Sequence, residues 1–329
     1  MPIKKQTTKT FLFDLHLDLE VYLNKNLRKI LGMNFYKLDR LYVERHFDLV
    51  QARKVGLKYF VTQVQAVKYN SKEKIIFSLN DFDEFIANYE NFLKQIKKYP
   101  QLKIIKSLTD FNSLSEDQIG VFLGVEGLNF INKIDEVELL IDLGFRVFGL
   151  TWNFDNKIAG GLNSHKPLTK FGKKVVELLV ARGCIIDCAH LNHISALEVI
   201  DLAPSNFIFS HNNLNSVVAF KQNLSSEILS KIKTKETLIG LTFLPSSLTT
   251  SGQQPTFKHW FQHYKELKKI NPQFLAIGTD YFGFAFKDTA LGAKNYIEFN
   301  NSLMKFKISK AKIFFNTFNY FYNKIKIWQ

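Results

Sequence analysis

The feature that most constrains the fold is an alternation of short apolar segments with longer amphipathic stretches along the chain. This alternation is typical of βα units, in which a helix follows each strand and the strands pair in parallel. The predicted strands are Phe11–Leu15, Leu57–Gln63, Ile119–Val125, Phe145–Thr151, Cys184–Cys188, Phe207–Ser210, Leu238–Phe243 and Phe274–Ile277. Helices are predicted, among others, over Asp81–Lys98, Thr169–Arg182 and Trp260–Lys269, and Gly183 suits the end of the second.

Eight strands alternating with helices favour a single-domain (β/α)8 TIM barrel over residues 11–329, after a basic N-terminal tail over residues 1–10. An open, doubly wound α/β sheet is the alternative. The glycine-rich phosphate-binding fingerprint that usually follows the first strand of such a sheet is missing here, which favours the barrel. Hydrophobic residues make up 46% of the chain, an ordinary globular value.

The net charge of +14 raises the question of a nucleic-acid or membrane-surface partner, but its composition argues against both. Only six of the 44 basic residues are Arg, the residue suited to bidentate contacts with phosphates and bases. The Lys residues are scattered, as on solvated faces, so we expect no nucleic-acid or membrane partner. No secretion signal is recognisable, and Cys184 and Cys188 fit buried thiols, so a cytoplasmic location is expected.

Polar side chains with metal-binding chemistry follow five of the eight predicted strands. They lie in the segments Asp14–Asp18, Gly124–Gly127, Asp187–His190, Ser210–His211 and Gly278–Asp280. The carboxyl ends of all barrel strands meet at one mouth, where the active site of such a fold is built. A single histidine at a strand end is more often structural, but imidazoles and carboxylates converging there predict a metal centre.

The remaining histidines are interpreted as structural or solvated. His46 and His165 lie in predicted loops, and His193 begins a predicted helix. His259 and His263 share a helix face, but the Glu that stands between the histidines of the metalloprotease helix motif is missing.

Several short motifs stand in a defined order along the chain. They are His16-x-Asp18, Gly124-Val125-Glu126-Gly127, Leu150-Thr151-Trp152-Asn153, Pro167-Leu168-Thr169-Lys170-Phe171-Gly172, Asp187-Cys188-Ala189-His190, Phe209-Ser210-His211 and Gly278-Thr279-Asp280-Tyr281. In this order the chain resembles the membrane (renal) dipeptidase family over roughly residues 11 to 325. Members of that family are binuclear zinc peptidases on an amidohydrolase-type barrel, so the resemblance implies the same fold and chemistry here.

The resemblance implies a role for each strand-end group. The metal ligands would be His16 and Asp18 for one zinc ion, His190 and His211 for a second, and Glu126 as the bridge between them. Two such ions share a water molecule and lower its pKa, so that hydroxide can attack a scissile carbonyl near neutral pH. Asp280 would take the proton of that water and pass it to the leaving amine. Mixed N/O ligands also accept Mn, Fe or Co.

The substrate-binding positions depart from the family. Trp152, beside Asn153, replaces a His that contacts the substrate, and Gln222 replaces an Arg that binds the dipeptide carboxylate, with Lys221 one residue away. A dipeptide or another small molecule bound by Trp152, Asn153 and Gln222 is the expected partner, and the resemblance further implies a homodimer. Three interpretations remain open: a hydrolase of altered specificity, a true dipeptidase, or a non-catalytic metal-binding relic that acts as a binding protein.

Overall fold

A ring of eight parallel strands forms the centre of the molecule. The computed structural model describes residues 10–30, 36–42, 44–70, 75–250 and 253–328, so most of the predicted N-terminal tail, residues 1–9, lies outside the described residues. The strands are β1 (Leu12–Asp14), β2 (Leu57–Gln65), β3 (Val67–Asn70), β4 (Ile75–Ser78), β5 (Leu102–Ile104), β6 (Ile119–Glu126), β7 (Phe145–Gly149), β8 (Ile185–Asp187), β9 (Phe207–Ile208), β10 (Ile239–Leu241) and β11 (Leu275–Ile277).

The ring follows the strand order β10-β11-β1-β2-β6-β7-β8-β9. It closes between β10 and Phe209, the residue directly after β9. The Phe209 N–H donates to the Leu238 carbonyl at 2.9 Å, and the Phe209 carbonyl accepts from the Gly240 N–H at 2.8 Å. Each of the eight predicted strand segments contributes one strand to this ring, so the predicted (β/α)8 TIM barrel is confirmed.

Among the strands of the described residues, three lie outside the ring. β3 and β4 form an antiparallel hairpin directly after β2, and β5 pairs in parallel with the first residues of β6. β2 runs to Gln65 rather than to the predicted Gln63. This extension places the Gln65 side chain at the carboxyl-terminal mouth of the barrel.

Helices connect the strands around the ring. They are α1 (Leu19–Leu23), α2 (Lys25–Ile30), α3 (Leu49–Val55), α4 (Phe82–Ile96), α5 (Leu108–Asn112), α6 (Ile134–Leu143), α7 (Lys170–Ala181), α8 (His193–Leu202), α9 (Ser226–Ile232), α10 (Pro245–Leu248), α11 (Phe257–Ile270), α12 (Tyr296–Lys305) and α13 (Lys310–Ile325). The three helices predicted above correspond to α4, α7 and α11. None of the helices in the described ranges combines the length and the apolarity needed to span a membrane.

Local sequence signals determine both ends of α7. The Thr169 hydroxyl accepts a hydrogen bond from the Gly172 N–H at 2.9 Å, which satisfies a donor that the first helical turn leaves unpaired. After the helix, Gly183 has a φ of +66°, a left-handed conformation that favours glycine. The helix therefore lies where the sequence predicts it.

Aromatic side chains of α13 close the amino-terminal end of the barrel. The ring of Phe321 lies 4.7 Å from that of Phe13 and 5.0 Å from that of Phe122, both of which belong to barrel strands. Beyond the helix, the Trp328 indole N–H donates to the Gly183 carbonyl at 2.8 Å. Buried aromatic rings contribute strongly to core stability. The opposite end, formed by the carboxyl ends of the strands, carries the cavity that adjoins the polar strand-end residues.

Candidate metal centre

Six ionisable side chains singled out from the sequence converge at the mouth of the barrel. They are His16, Asp18, Glu126, His190, His211 and Asp280. Each is at most 9% exposed. They form three overlapping groups, in each of which the potential ligand atoms lie within 4.8 Å of one another. Buried histidines and carboxylates grouped in this way could hold a metal ion.

The first group is built around Glu126 at the end of β6. Its Oε1 lies 2.8 Å from Nε2 of His190 and 3.8 Å from Nε2 of His211. The two imidazole nitrogens are themselves 2.9 Å apart. Three donor atoms from the ends of three different strands therefore face one point.

The second group is centred on His16, which follows β1. Its Nε2 lies 3.3 Å from Oδ1 of Asp18, 3.8 Å from Oε1 of Glu126 and 3.9 Å from Oδ1 of Asp280. Glu126 belongs to both groups, so its carboxylate lies between the two sets of donor atoms.

The donor set fits divalent cations. In the described part of the chain, Nε2 of His16 is buried without a hydrogen-bond partner, although carboxylates approach it from several sides. Nε2 of His190 and Nε2 of His211 lie so close that a proton or a cation must separate their lone pairs. Imidazole nitrogens combined with carboxylate oxygens suit Zn²⁺ and also Mn, Fe and Co.

Charge interactions inside the cluster shift the pKa values of its members in opposite directions. Burial would lower the pKa of His16, but the surrounding carboxylates, led by Asp18, raise it well above its ordinary value. Burial would raise the pKa of Glu126, but the imidazoles, led by His190, hold it well below its ordinary value. Burial, together with the Asp18 charge, raises the pKa of Asp280 well above its ordinary value. The cluster therefore keeps Glu126 ionised and favours a proton on Asp280.

The outward-facing nitrogens of the three histidines are also hydrogen-bonded. Nδ1 of His190 lies 3.0 Å from Oδ1 of Asn153, an atom that can only accept, so this Nδ1 carries a hydrogen. Nδ1 of His16 and Nδ1 of His211 both contact the hydroxyl of Ser210, at 3.1 Å and 2.7 Å. These contacts turn the Nε2 atoms towards the cluster, as outer hydrogen bonds do for metal-binding histidines.

Gln65 belongs to the site, although the sequence interpretation did not single it out. Its side-chain amide donates to Oδ1 of Asp18 at 3.1 Å and to Oε2 of Glu126 at 2.5 Å. The predicted strand ended at Gln63, which left Gln65 in a loop. The signal that could have found it is the period of two, because Gln63 and Gln65 share one face of an extended strand.

A cavity of roughly 400 Å³ opens in front of the cluster. It is lined by all three residues predicted to bind substrate: Trp152, Asn153 and Gln222. The Gln222 side chain is 7% exposed, and its amide nitrogen lies 3.4 Å from the His211 carbonyl. Lys221 is the only Lys or Arg among the described residues that line the cavity, and its Nζ donates to Oδ1 of Asn163 at 3.0 Å. A positive charge therefore borders the cavity at Lys221.

His46 holds a strained turn beside the cluster. Asp280 and Phe282 have φ values of +58° and +73°, which non-glycine residues seldom adopt. Nδ1 of His46 accepts the Phe282 N–H at 3.1 Å, and its Nε2 lies 2.7 Å from the Thr289 hydroxyl. The imidazole also stacks on the ring of Tyr281 at 4.8 Å. A neutral His46 therefore supports the turn that carries Asp280.

This contact makes the stability of the protein depend on pH. Burial, reinforced by Arg45, lowers the pKa of His46 from 6.5 to about 3. The unfolded chain then binds more protons than the folded chain, so the free energy of unfolding falls as the pH drops below about 6.5. From pH 7 to pH 5 we expect His46 alone to cost about 2 kcal/mol of stability. Urea unfolding of the wild type and of His46→Gln at both pH values measures this difference.

His165→Gln is the matched control, because His165 is exposed in a loop. In this variant the free energy of unfolding should change between pH 7 and pH 5 as it does in the wild type. In His46→Gln that change should be smaller by about 2 kcal/mol. Equal pH dependence in the wild type and His46→Gln would show that His46 is not held neutral in the folded protein.

The other histidines lie in helices and loops away from the cluster. His263 is buried in α11, where its Nδ1 accepts the Leu214 N–H at 3.1 Å. His259 lies one turn earlier in the same helix and accepts the Thr256 N–H at 3.1 Å. His193 is the first residue of α8 and lies 2.8 Å from Glu227.

Comparison with known proteins relates most of the chain to one family. Residues 3–314 match the family model of membrane dipeptidase (peptidase family M19). An uncharacterized dipeptidase of Schizosaccharomyces pombe is 23% identical over 292 residues, which cover 82% of this chain and 68% of the relative. Dipeptidase 3 of Mus musculus is 25% identical over 196 residues, but these cover only 39% of that protein.

Solved structures share the fold. A metallo peptidase from Rhodobacter sphaeroides, liganded with a phosphinate mimic of the dipeptide L-Ala-D-Ala, has a TM-score of 0.79 and 15% identity. That match covers 98% of this chain and 100% of the other. The probable dipeptidase PvdM from Pseudomonas aeruginosa has a TM-score of 0.80 and 16% identity, with coverage of 98% and 96%. At these identities the likeness concerns the barrel alone.

Proposed function

Since the chain belongs to the membrane dipeptidase family (peptidase family M19), we propose that it is a binuclear metal-dependent hydrolase of dipeptides or related amide substrates. The observation that carries this proposal is the convergence of buried imidazoles and carboxylates on two neighbouring points at the barrel mouth. Glu126 contributes to both points. The adjoining cavity of roughly 400 Å³ is large enough for a dipeptide.

The donor atoms around Glu126 and those around His16 would each hold one cation. The proposed ligands are His16 and Asp18 for one ion, His190 and His211 for the other, and Glu126 for both. Zn²⁺ is the favoured ion, two per chain, and the donor set also suits Mn, Fe or Co. Bound ions would supply an acidic water molecule and polarise the substrate carbonyl. Gln65 would keep Asp18 and Glu126 in place through its two hydrogen bonds.

Asp280 would carry the proton during hydrolysis. Its carboxylate lies 3.9 Å from Nε2 of His16 and borders the cavity, so it would stand between a water molecule held at the cluster and a substrate bound in the cavity. The ionised carboxylate would take a proton from the attacking water. Burial and the Asp18 charge raise its pKa, which favours keeping that proton until the leaving amine accepts it. Amide cleavage requires this proton because an amine anion is a poor leaving group.

The cavity walls favour a substrate with an apolar side chain and a negative end. Val21, Leu27 and Val67 form a small apolar cluster that packs against Trp152, and all four line the cavity. Lys221, which also lines the cavity, provides the positive charge. Gln222 is neutral and turned towards the protein backbone, so Lys221 rather than Gln222 would bind a carboxylate. These features support hydrolysis of dipeptides or related amides that combine an apolar side chain with a terminal carboxylate.

Lys221→Met should separate carboxylate recognition from chemistry. We expect KM for substrates with a free terminal carboxylate to rise about 10-fold, because one charged hydrogen bond at an exposed site is lost. The kcat for the same substrates should stay within about twofold, and the KM for substrates with an amidated terminus should not change. Steady-state kinetics on matched acid and amide pairs measures this effect.

Lys233→Met, at an exposed position directly after α9, is the control for the loss of one positive charge. It should leave both substrate classes unchanged. An equal rise in KM for acid and amide substrates in Lys221→Met would contradict carboxylate binding by Lys221.

The alternative is a non-catalytic metal-binding relic of the family that acts as a binding protein. Trp152 and Gln222, which replace the family's substrate-binding His and Arg, favour it. Elemental analysis after zinc loading, followed by assays on dipeptide, amide and lactone substrates, separates the two functions. About two zinc ions per chain together with turnover of any of these substrates supports the hydrolase. About two zinc ions per chain without turnover supports the non-catalytic relic. If the protein binds no zinc after loading, the proposed metal centre itself is overturned.

A further inference from the structure

Ser210 lies beneath the metal centre and contacts histidines of both groups. It follows β9 and is fully buried. Its hydroxyl lies 3.1 Å from Nδ1 of His16 and 2.7 Å from Nδ1 of His211. The two imidazole rings are 4.0 Å apart between centroids. One oxygen atom is therefore the outer partner of a histidine from each proposed cation position.

The hydroxyl can satisfy all these contacts at once. A serine hydroxyl accepts two hydrogen bonds and donates one. Nε2 of His16 and Nε2 of His211 face the cluster, so each Nδ1 is free to carry a hydrogen and donate it to Ser210. The hydroxyl hydrogen then points to Asp187, whose carboxylate also accepts the Ser210 N–H at 3.0 Å. Asp187, at the end of β8, thus anchors the serine from below.

The backbone of Ser210 packs closely against two glycines. A Cβ atom added to Gly240 would lie 1.9 Å from the Ser210 carbonyl oxygen, and one added to Gly278 would lie 1.7 Å from it. Glycine in β10 and directly after β11 therefore leaves room for the Ser210 carbonyl. The hydroxyl is therefore held at a fixed point under the two histidines.

We propose that Ser210 is a shared positioning residue that couples the two cation positions, an inference that rests on the proposed function. By accepting from both Nδ1 atoms, the hydroxyl fixes His16 and His211 in the ring orientation and tautomer that metal binding needs. Asn153 does the same for His190 alone. Loss of the Ser210 hydroxyl therefore weakens both cation positions together.

The test is competitive zinc titration of the full chain, wild type and Ser210→Ala, against a chromophoric chelator. We expect both binding steps of Ser210→Ala to weaken by about 10- to 100-fold, the usual effect of removing an outer partner of a metal-binding histidine. Ser195→Ala is the matched control, because Ser195 is an equally buried serine whose hydroxyl accepts from the Gly160 N–H and donates to the Lys166 carbonyl, and not to a histidine of the cluster. This control should bind zinc like the wild type.

A spectroscopic measurement excludes a merely structural effect. In zinc-loaded wild type, the Nδ1 hydrogens of His16 and His211 should give two imidazole N–H signals that shift in Ser210→Ala and stay in place in Ser195→Ala. Should Ser210→Ala not fold, Ser210→Cys carries the test, because the thiol is only a weak acceptor of similar size and should weaken both steps to a smaller extent.

The outcomes separate this inference from the proposed function. If the wild type binds two zinc ions tightly and both zinc-binding steps are weaker in Ser210→Ala, the coupling is supported. Two tight ions in the wild type, with one step or neither weakened, overturns the coupling and leaves the proposed function intact. Fewer than two ions in the wild type overturns the binuclear site and the coupling with it.

Discussion

His190→Ala is expected to lower kcat/KM for dipeptide hydrolysis by about 10³-fold or more and to reduce the zinc content of the purified protein. Nε2 of His190 lies 2.8 Å from Glu126 and 2.9 Å from Nε2 of His211, so its removal takes one donor from the first group. It also removes the imidazole that contributes most to the low pKa of Glu126. Steady-state kinetics and elemental analysis on the same preparation measure both effects.

His165→Ala is the control for this prediction, because His165 is exposed and lies in a loop. It should match the wild type in zinc content and in turnover. Wild-type turnover in a folded His190→Ala variant would contradict metal-assisted hydrolysis at this cluster.

Asp280→Asn is expected to lower kcat by about 10²- to 10⁴-fold, the usual contribution of a positioned proton donor or acceptor. The amide keeps the shape of the carboxyl group but cannot exchange a proton at the leaving nitrogen. Because Asp280 would exchange a proton in each turnover, the wild-type pH–rate profile should contain a limb that belongs to this group. That limb should be missing in Asp280→Asn.

Zinc content distinguishes proton transfer from metal binding at Asp280, because the residue also belongs to one of the potential ligand groups. If Asp280 only carries the proton, Asp280→Asn should still bind two zinc ions per chain. If the variant binds one ion fewer, Asp280 is a metal ligand. Asp288→Asn is the control, because Asp288 is an exposed carboxylate in the same segment between β11 and α12. It should leave both the pH–rate profile and the zinc content unchanged.

The barrel was predictable because each strand is a short apolar run bounded by polar residues. β6 and β7 show this well, since their eight and five residues are fully buried and lie inside the predicted segments or within one residue of them. The convergence of the strand-end histidines and carboxylates followed from the barrel geometry, which brings all carboxyl ends to one mouth.

Contacts between distant parts of the chain could not be predicted in the same way. His46 touches Phe282 across 236 positions of the chain, and a single sequence contains no signal for that pairing. The side-chain orientations of Lys221 and Gln222 could not be predicted either. Both residues lie in an irregular segment, where side chains do not alternate in the regular way they do in a strand or a helix. Gln65 was missed for a smaller reason, a strand end placed two residues too early.

The pairing of β1 with β11 determines when the centre can form during synthesis on the ribosome. The Asp14 carboxylate accepts the Thr279 N–H at 3.0 Å and the Thr279 hydroxyl at 2.6 Å, across 265 positions of the chain. His16 therefore emerges long before Asp280, and the two meet only when the last strand is in place. Pairing over such a distance is slow. The cation position beside His16 and Asp280 is consequently complete only when the barrel has closed. A nascent chain that lacks β11 cannot assemble that part of the centre.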